Sequence, residues 1–269
     1  MGNLHCSPRK EEEYLYLYQI ATAIGIIIMI LLFIWLMLFR GGFGLVNPDL
    51  IFNWHPLLMV IGMVFIFSHA ILLYRTGRHC CKSSMKLTHG IFHSLTILLI
   101  SLGLAAAFSN HIMKKIPNMY TLHSWIGMMA IIIFITNFIF ALGCMGCPGT
   151  TQKIRDIGCP VHIQIGIVCF LVAIVAAVLG VAEKTIFGVK NYKDMPGEGV
   201  ICNLIGLLMV IYGILILCLV TDASYKRQDK RCATPCPPSR PPLPPTQYYY
   251  GPQMPQMSEQ QQQIKWWNN

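Results

Sequence analysis

Four histidines, His55, His89, His123 and His162, each stand close to the start of a long apolar run. An imidazole kept in such surroundings must satisfy its ring nitrogens, with a hydrogen bond, a proton or a metal. One alone on an apolar face is a hydrogen-bonded core residue. Two that face each other across a core have a further use, which is to hold one metal ion from opposite sides. Which chemistry applies depends on depth, and depth depends on the elements that carry the four rings.

Those elements are helices in a bilayer. The chain has 269 residues, 55% hydrophobic and only 12% charged, with a positive mean hydropathy. Six apolar runs, near 17–39, 56–74, 87–108, 121–142, 160–181 and 200–220, each approach the roughly 20 residues that span a bilayer core. Strand alternation is absent, so a barrel is excluded. The first run is longer than a signal-peptide core and has no small-residue cleavage site after it, so it is read as a retained helix. The expected organisation is a cytoplasmic segment 1–16, a six-helix domain 17–220 and a disordered Pro/Gln-rich tail 221–269.

Six crossings put both termini on one side. Only Arg40, Lys114, Lys115, Lys184, Lys190 and Lys193 of the twenty Lys and Arg fall in the segments on the other side, so the termini are expected in the cytoplasm. Cys80, Cys81, Cys144, Cys147, Cys159, Cys232 and Cys236 all lie on that reducing side, which argues for free thiols. A zinc site at "CMGC" with Cys159 or "CATPC" is the alternative. No nucleic-acid partner is indicated, and the bilayer itself is the first partner.

With this topology the histidines sort by height. His55 and His123 open the second and fourth helices just inside the outer face; His89 and His162 open the third and fifth just inside the inner face. Two depth-matched pairs suit axial ligation of two b-type haems, one near each surface, in a bundle of helices two to five. A zinc or copper ion would want further ligands, and the six runs hold no carboxylate to supply them. Gly127 and Gly166 follow His123 and His162 by four residues, on the same helix face, and leave room for a flat ring. They also suit ordinary helix packing in a membrane. His69, His79 and His93 are set aside: His69 is on the wrong helix for a symmetric arrangement, His79 is in a basic loop, and His93 lies one turn deeper than His89, placed to hydrogen-bond between the cofactors.

The inner end is cationic. Lys82 and Lys86 precede His89 on one helix face, with Arg75 and Arg155 in adjoining segments, a cluster fit for a haem propionate or a small anionic reductant. The outer end carries His111, Lys114, Lys115, Asn118 and Tyr120 beside His123, a rim for an anionic or chelated acceptor.

The blocks "FNWHPLLMVIGMVF", "YRTGRHCCKSSMKLTHG", "NMYTLHSWIG", "CPVHIQIG" and "LGVAEK" resemble, in order, the motifs of the cytochrome b561 family, over roughly residues 20–222. The resemblance implies an ascorbate-dependent transmembrane oxidoreductase with two haems b, all-α, in helices two to five. It implies ascorbate donating at Arg75, Lys82 and Lys86, joined by Arg155, and monodehydroascorbate or a ferric chelate accepting near Asn110, His111 and Tyr120. It also implies a homodimer. The sequence departs from the family pattern at Thr121, where a serine is usual, and at Ile112, where an asparagine is. The membrane is the plasma membrane, a secretory vesicle or the endolysosome.

Two other function classes remain open. A transporter relaying protons through histidines calls for acidic partners inside the membrane. A scaffold would recruit WW or SH3 domains through "RPPLPP" in the tail. "MGNLHCSPRK" comes near an acylation signal, with Cys6 in place of the usual Ser or Thr.

Overall fold

A computed structural model describes residues 8–147 and 149–227. Among them six helices are long and apolar enough to cross a membrane: α1 (Pro8–Leu38), α2 (Pro48–Thr76), α3 (Lys82–Lys114), α4 (Leu122–Gly146), α5 (Gln152–Gly188) and α6 (Gly197–Thr221). No strand occurs among the described residues, and the protein is an all-α integral membrane protein. The acylation motif, Cys232, Cys236 and the proline-rich segment lie outside the described residues.

Each helix outruns its apolar stretch, because a helix ends where its backbone is capped and not where its side chains stop being greasy. The Asn47 side chain accepts from Asp49 N at 2.9 Å, starting α2 ahead of Pro48. Thr121 caps α4: its hydroxyl accepts from Ser124 N at 3.3 Å, and Ser124 Oγ accepts from Thr121 N at 3.2 Å. The departure at Thr121 therefore keeps the capping hydroxyl, and the cap sets His123 in the first turn of α4. α5 runs through Pro160 and begins two turns earlier than its apolar run, so Arg155 and His162 share one helix.

Helices α2 and α3 pack along each other, as do α4 and α5; α5 also packs against α2, while α3 and α4 meet only sparsely. These four make a closed ring in which α2 stands diagonal to α4 and α3 to α5. Helices α1 and α6 pair with each other and lie against α2 and α5. Lipid is as apolar as leucine, so close packing and polar contacts hold such helices together. Ser68 hydrogen-bonds Tyr212 between α2 and α6. At the outer end Glu198 ties Arg40, at 2.5 Å, and Trp35 Nε1, at 2.8 Å, to the start of α6.

α2 contains a π-helical stretch, Val60–Ile66. On a regular helix His69, fourteen residues after His55, would return to within about 40° of its face. A π turn takes up an extra residue and rotates the remainder of the helix by roughly another 100°. His69 accordingly faces α1, where its Nε2 meets Thr22 Oγ1 at 3.3 Å while its Nδ1 meets Phe65 O at 2.8 Å.

Candidate cofactor-binding centre

The two diagonals of the helix ring carry the two histidine pairs. The His55 and His123 ring centres stand 6.1 Å apart with planes at 82°. Those of His89 and His162 stand 6.0 Å apart at 80°. A metal about 2 Å from one nitrogen of each ring, with about 1.1 Å from nitrogen to ring centre, requires centres about 6.2 Å apart. Both pairs meet that requirement.

The nitrogens are also sorted. His55 Nδ1 donates to Gly103 O (3.1 Å), His123 Nδ1 to Ala176 O (2.8 Å) and His89 Nδ1 to Ala70 O (2.9 Å). His162 Nδ1 donates to Asn137 Oδ1 at 3.1 Å, and Asn137 Nδ2 donates back to His162 O at 3.2 Å, which fixes the amide's orientation. Every acceptor is a carbonyl oxygen with no proton to give. Each ring therefore carries its proton on Nδ1 and presents a bare Nε2 lone pair, the state a metal ligand needs. None of the four Nε2 atoms bonds another described residue.

Space for a flat ring is present beside them. A Cβ at Gly127 would meet only Ala176 Cβ, at 4.0 Å, and one at Gly166 only Asn137 Nδ2, at 3.6 Å. A Cβ at Gly180 would lie 2.6 Å from His123 Cε1, so that glycine is required by the ring's position. A cavity of about 330 Å³ takes in His55, His123, Gly127 and Gly180 and reaches out to Asn110 and Lys184. Lys184 Nζ stands 4.2 Å over the Phe52 ring at its wall. These side chains fit a haem, which His55 with His123, or His89 with His162, would hold and which would supply reversible one-electron chemistry there.

The remaining expected residues take definite places. Lys82 and Lys86 are exposed on α3, two turns and one turn before His89, and Lys86 Nζ bonds Met145 O at the end of α4. Arg155 stands two turns before His162 on α5, with its Nε buried and unpaired. Arg75 holds the end of α6: its guanidinium bonds Asp222 O at 2.6 Å and also Val220 O. At the outer face Asn110 is buried with Nδ2 on Pro48 O at 2.6 Å, His111 Nδ1 meets Asn118 Oδ1 at 3.0 Å, and Tyr120 is exposed beside His111. Lys114 pairs with Asp49. His79 is paired with Glu11 at 2.7 Å. Cys80, Cys144, Cys147 and Cys159 are free thiols.

Sequence reasoning passed over Asn137 and Gly180. Asn137 was visible as a lone amide in the apolar run "IIIFITNFIFALG", and a polar residue in such a run usually has a partner to serve. Gly180 lay inside the quoted block "LGVAEK", without being singled out there.

Comparison with known proteins places these observations in a family. Residues 54–188 match the family described as eukaryotic cytochrome b561. The chain is 37% identical over 194 residues to the transmembrane ascorbate-dependent reductase CYB561 of Sus scrofa, covering 72% of this chain and 77% of that one. It is 37% identical over 197 residues to the plasma membrane ascorbate-dependent reductase CYBRD1 of Rattus norvegicus, covering 72% and 69%. It is 35% identical over 201 residues to the lysosomal membrane ascorbate-dependent ferrireductase CYB561A3 of Bos taurus, covering 72% and 76%.

Proposed function

This chain belongs to the eukaryotic cytochrome b561 family, and we propose that it moves single electrons across a membrane from cytosolic ascorbate to a ferric chelate or monodehydroascorbate on the other side. Two haems b serve it, one between His55 and His123 and one between His89 and His162. The observation that carries this reading is the pair of diagonal imidazole couples, each about 6 Å between ring centres and each with Nδ1 fixed on a carbonyl oxygen. When bound there, haem b supplies a reversible one-electron couple tuned by its axial ligands, hydrogen bonds and burial.

The chain's own groups do the rest. Lys82, Lys86 and Arg155 gather positive charge at the inner ends of α3 and α5, where an ascorbate anion is drawn in and oriented. Arg75 adds charge from the end of α2 while its fork holds α6. The unpaired Nε of Arg155 supports an anionic ligand at that face. Asn110, His111 and Tyr120 line the way to the outer pair and are proposed to receive the acceptor. The excess of cations on one side supports cytoplasmic termini, and a homodimer in a plasma, vesicle or lysosomal membrane is the expected setting.

The test is the visible spectrum of the detergent-purified protein, oxidised, with ascorbate and with dithionite, beside His123→Ala and His162→Ala. Ascorbate should produce a reduced b-type spectrum, and each substitution should remove part of the haem signal. A colourless protein after haem-supplemented expression would overturn the ligand assignment and revive the proton-relay alternative.

A further inference from the structure

Between the two histidine pairs, and nearer the inner one, four rings meet, one from each helix of the α2–α5 ring. They are Phe67 of α2, His93 of α3, Phe134 of α4 and Phe170 of α5. Phe67 stands 5.5 Å from His93, 5.0 Å from Phe134 and 5.7 Å from Phe170, all edge to face, and His93 stands 5.4 Å from Phe134. All four are buried, none more than 8% exposed. Along the helices the layer lies about 16 Å from His123 and about 12 Å from His162. The outer cavity ends just short of it, on Val64, Ile131 and Ala173, each one turn from a ring of the layer. His93 is its one polar member. It packs against His89 at 4.3 Å, and its Nδ1 is buried with no hydrogen-bond partner.

We propose that these four rings are a partition between the outer and inner histidine chambers that keeps water and protons from crossing the bundle. A proton path needs an unbroken run of hydrogen-bonding groups or water. At this level each of the four helices contributes a ring, and the sole imidazole packs against Phe67, Phe134 and His89 with its Nδ1 buried and unpaired. That buried, unpaired Nδ1 marks where such a run is interrupted. Emptying the space beside that imidazole would give water both a polar contact and room, whereas a purely apolar void stays dry. The inference goes beyond electron transfer, because it concerns what the same bundle must refuse to carry.

The experiment uses the purified haem-loaded protein in liposomes with a trapped pH-sensitive dye and a potassium diffusion potential to drive protons. The wild type should be as tight as protein-free vesicles. Phe134→Ala, which opens space directly against His93, should leak protons about ten-fold faster, and adding His93→Leu to it should restore tightness by removing the polar contact. Phe33→Ala, on the lipid-facing side of α1, should change nothing. If Phe134→Ala does not fold, Phe134→Thr reports on the same space. A folded Phe134→Ala as tight as the wild type, or a wild type that leaks, overturns the partition. The haem spectrum of the same samples is read separately: a colourless but tight wild type with a leaky Phe134→Ala would sink the haem assignment and leave the partition standing.

Discussion

Asn137 is the one side chain, among the described residues, that holds a candidate ligand ring; the other three rings rest on backbone carbonyls that substitution leaves in place. Replacing it with leucine of similar size removes the acceptor of His162 Nδ1–H and the donor to His162 O together. Asn137 is only 7% exposed, so water does not readily take over, and an abandoned buried donor costs about 1–3 kcal/mol. His162 is then free to turn or to move its proton to the nitrogen that should face the metal. Loss of a hydrogen-bonded partner behind a ligand typically weakens metal binding about 10–100-fold, or about 1.4–2.8 kcal/mol at 1.4 kcal/mol per decade. The assay is haem titration of apoprotein followed by absorbance, with paramagnetic resonance of the oxidised protein to resolve the two centres. The inner signal should weaken or broaden while the outer one is unchanged. Asn137→Asp keeps an acceptor on His162 and should retain haem, with the inner midpoint potential lowered because a carboxylate makes the imidazole more basic. An Asn137→Leu protein with unaltered affinity and an unaltered inner signal would refute the assignment of Nδ1 as the fixed, protonated nitrogen of His162.

Two further outcomes are expected from neighbouring contacts. Gly180→Ala puts a methyl group 2.6 Å from His123 Cε1; the ring must move, at the roughly 1–3 kcal/mol of an overpacked site, so the outer haem signal should change while the inner one is kept, and an unchanged outer spectrum would contradict the ring's placement. Arg75→Gln loses a charged fork on Val220 O and Asp222 O and should lower the melting temperature by an amount equal to about 1–3 kcal/mol, with Arg75→Lys a poor rescue because a point charge does not span two carbonyls. A change in ascorbate KM alone, at full stability, would confine Arg75 to the donor site.

The fold was legible because a bilayer leaves few choices: six runs of sufficient length, joined by short polar segments, become six helices. The pairing of the four histidines was legible because antiparallel crossing turns position along a helix into depth. The hidden part depends on rotation. His69 counts onto the face of His55 if every turn holds 3.6 residues, and only the π-helical stretch at 60–66 carries it to Thr22. The acceptors at Gly103, Ala176 and Ala70 are peptide carbonyls, which every residue possesses, so no residue type advertises them. Arg75 read as a site cation because charge is visible in sequence, while the open end of α6 that it closes belongs to residues some 145 positions away. The layer Phe67, His93, Phe134 and Phe170 is four ordinary letters until four helices are brought together.

α5 carries Arg155 at its inner end, His162 two turns deeper, Phe170 in the middle, Ala176 O beneath His123 and Lys184 at the outer rim. A single rod of 37 residues, about 55 Å long at the usual rise, is thus the common ruler for everything along the bundle's axis. The two ends of the molecule are not separately adjustable: a slide of α5 by a single residue's rise would withdraw His162 from its pair with His89 and the hydrogen-bond acceptor of His123 from the other pair. A new donor preference at the inner mouth is therefore reached by exchanging side chains such as Arg155 in place, or by moving α3 and the loops, and not by moving α5 itself.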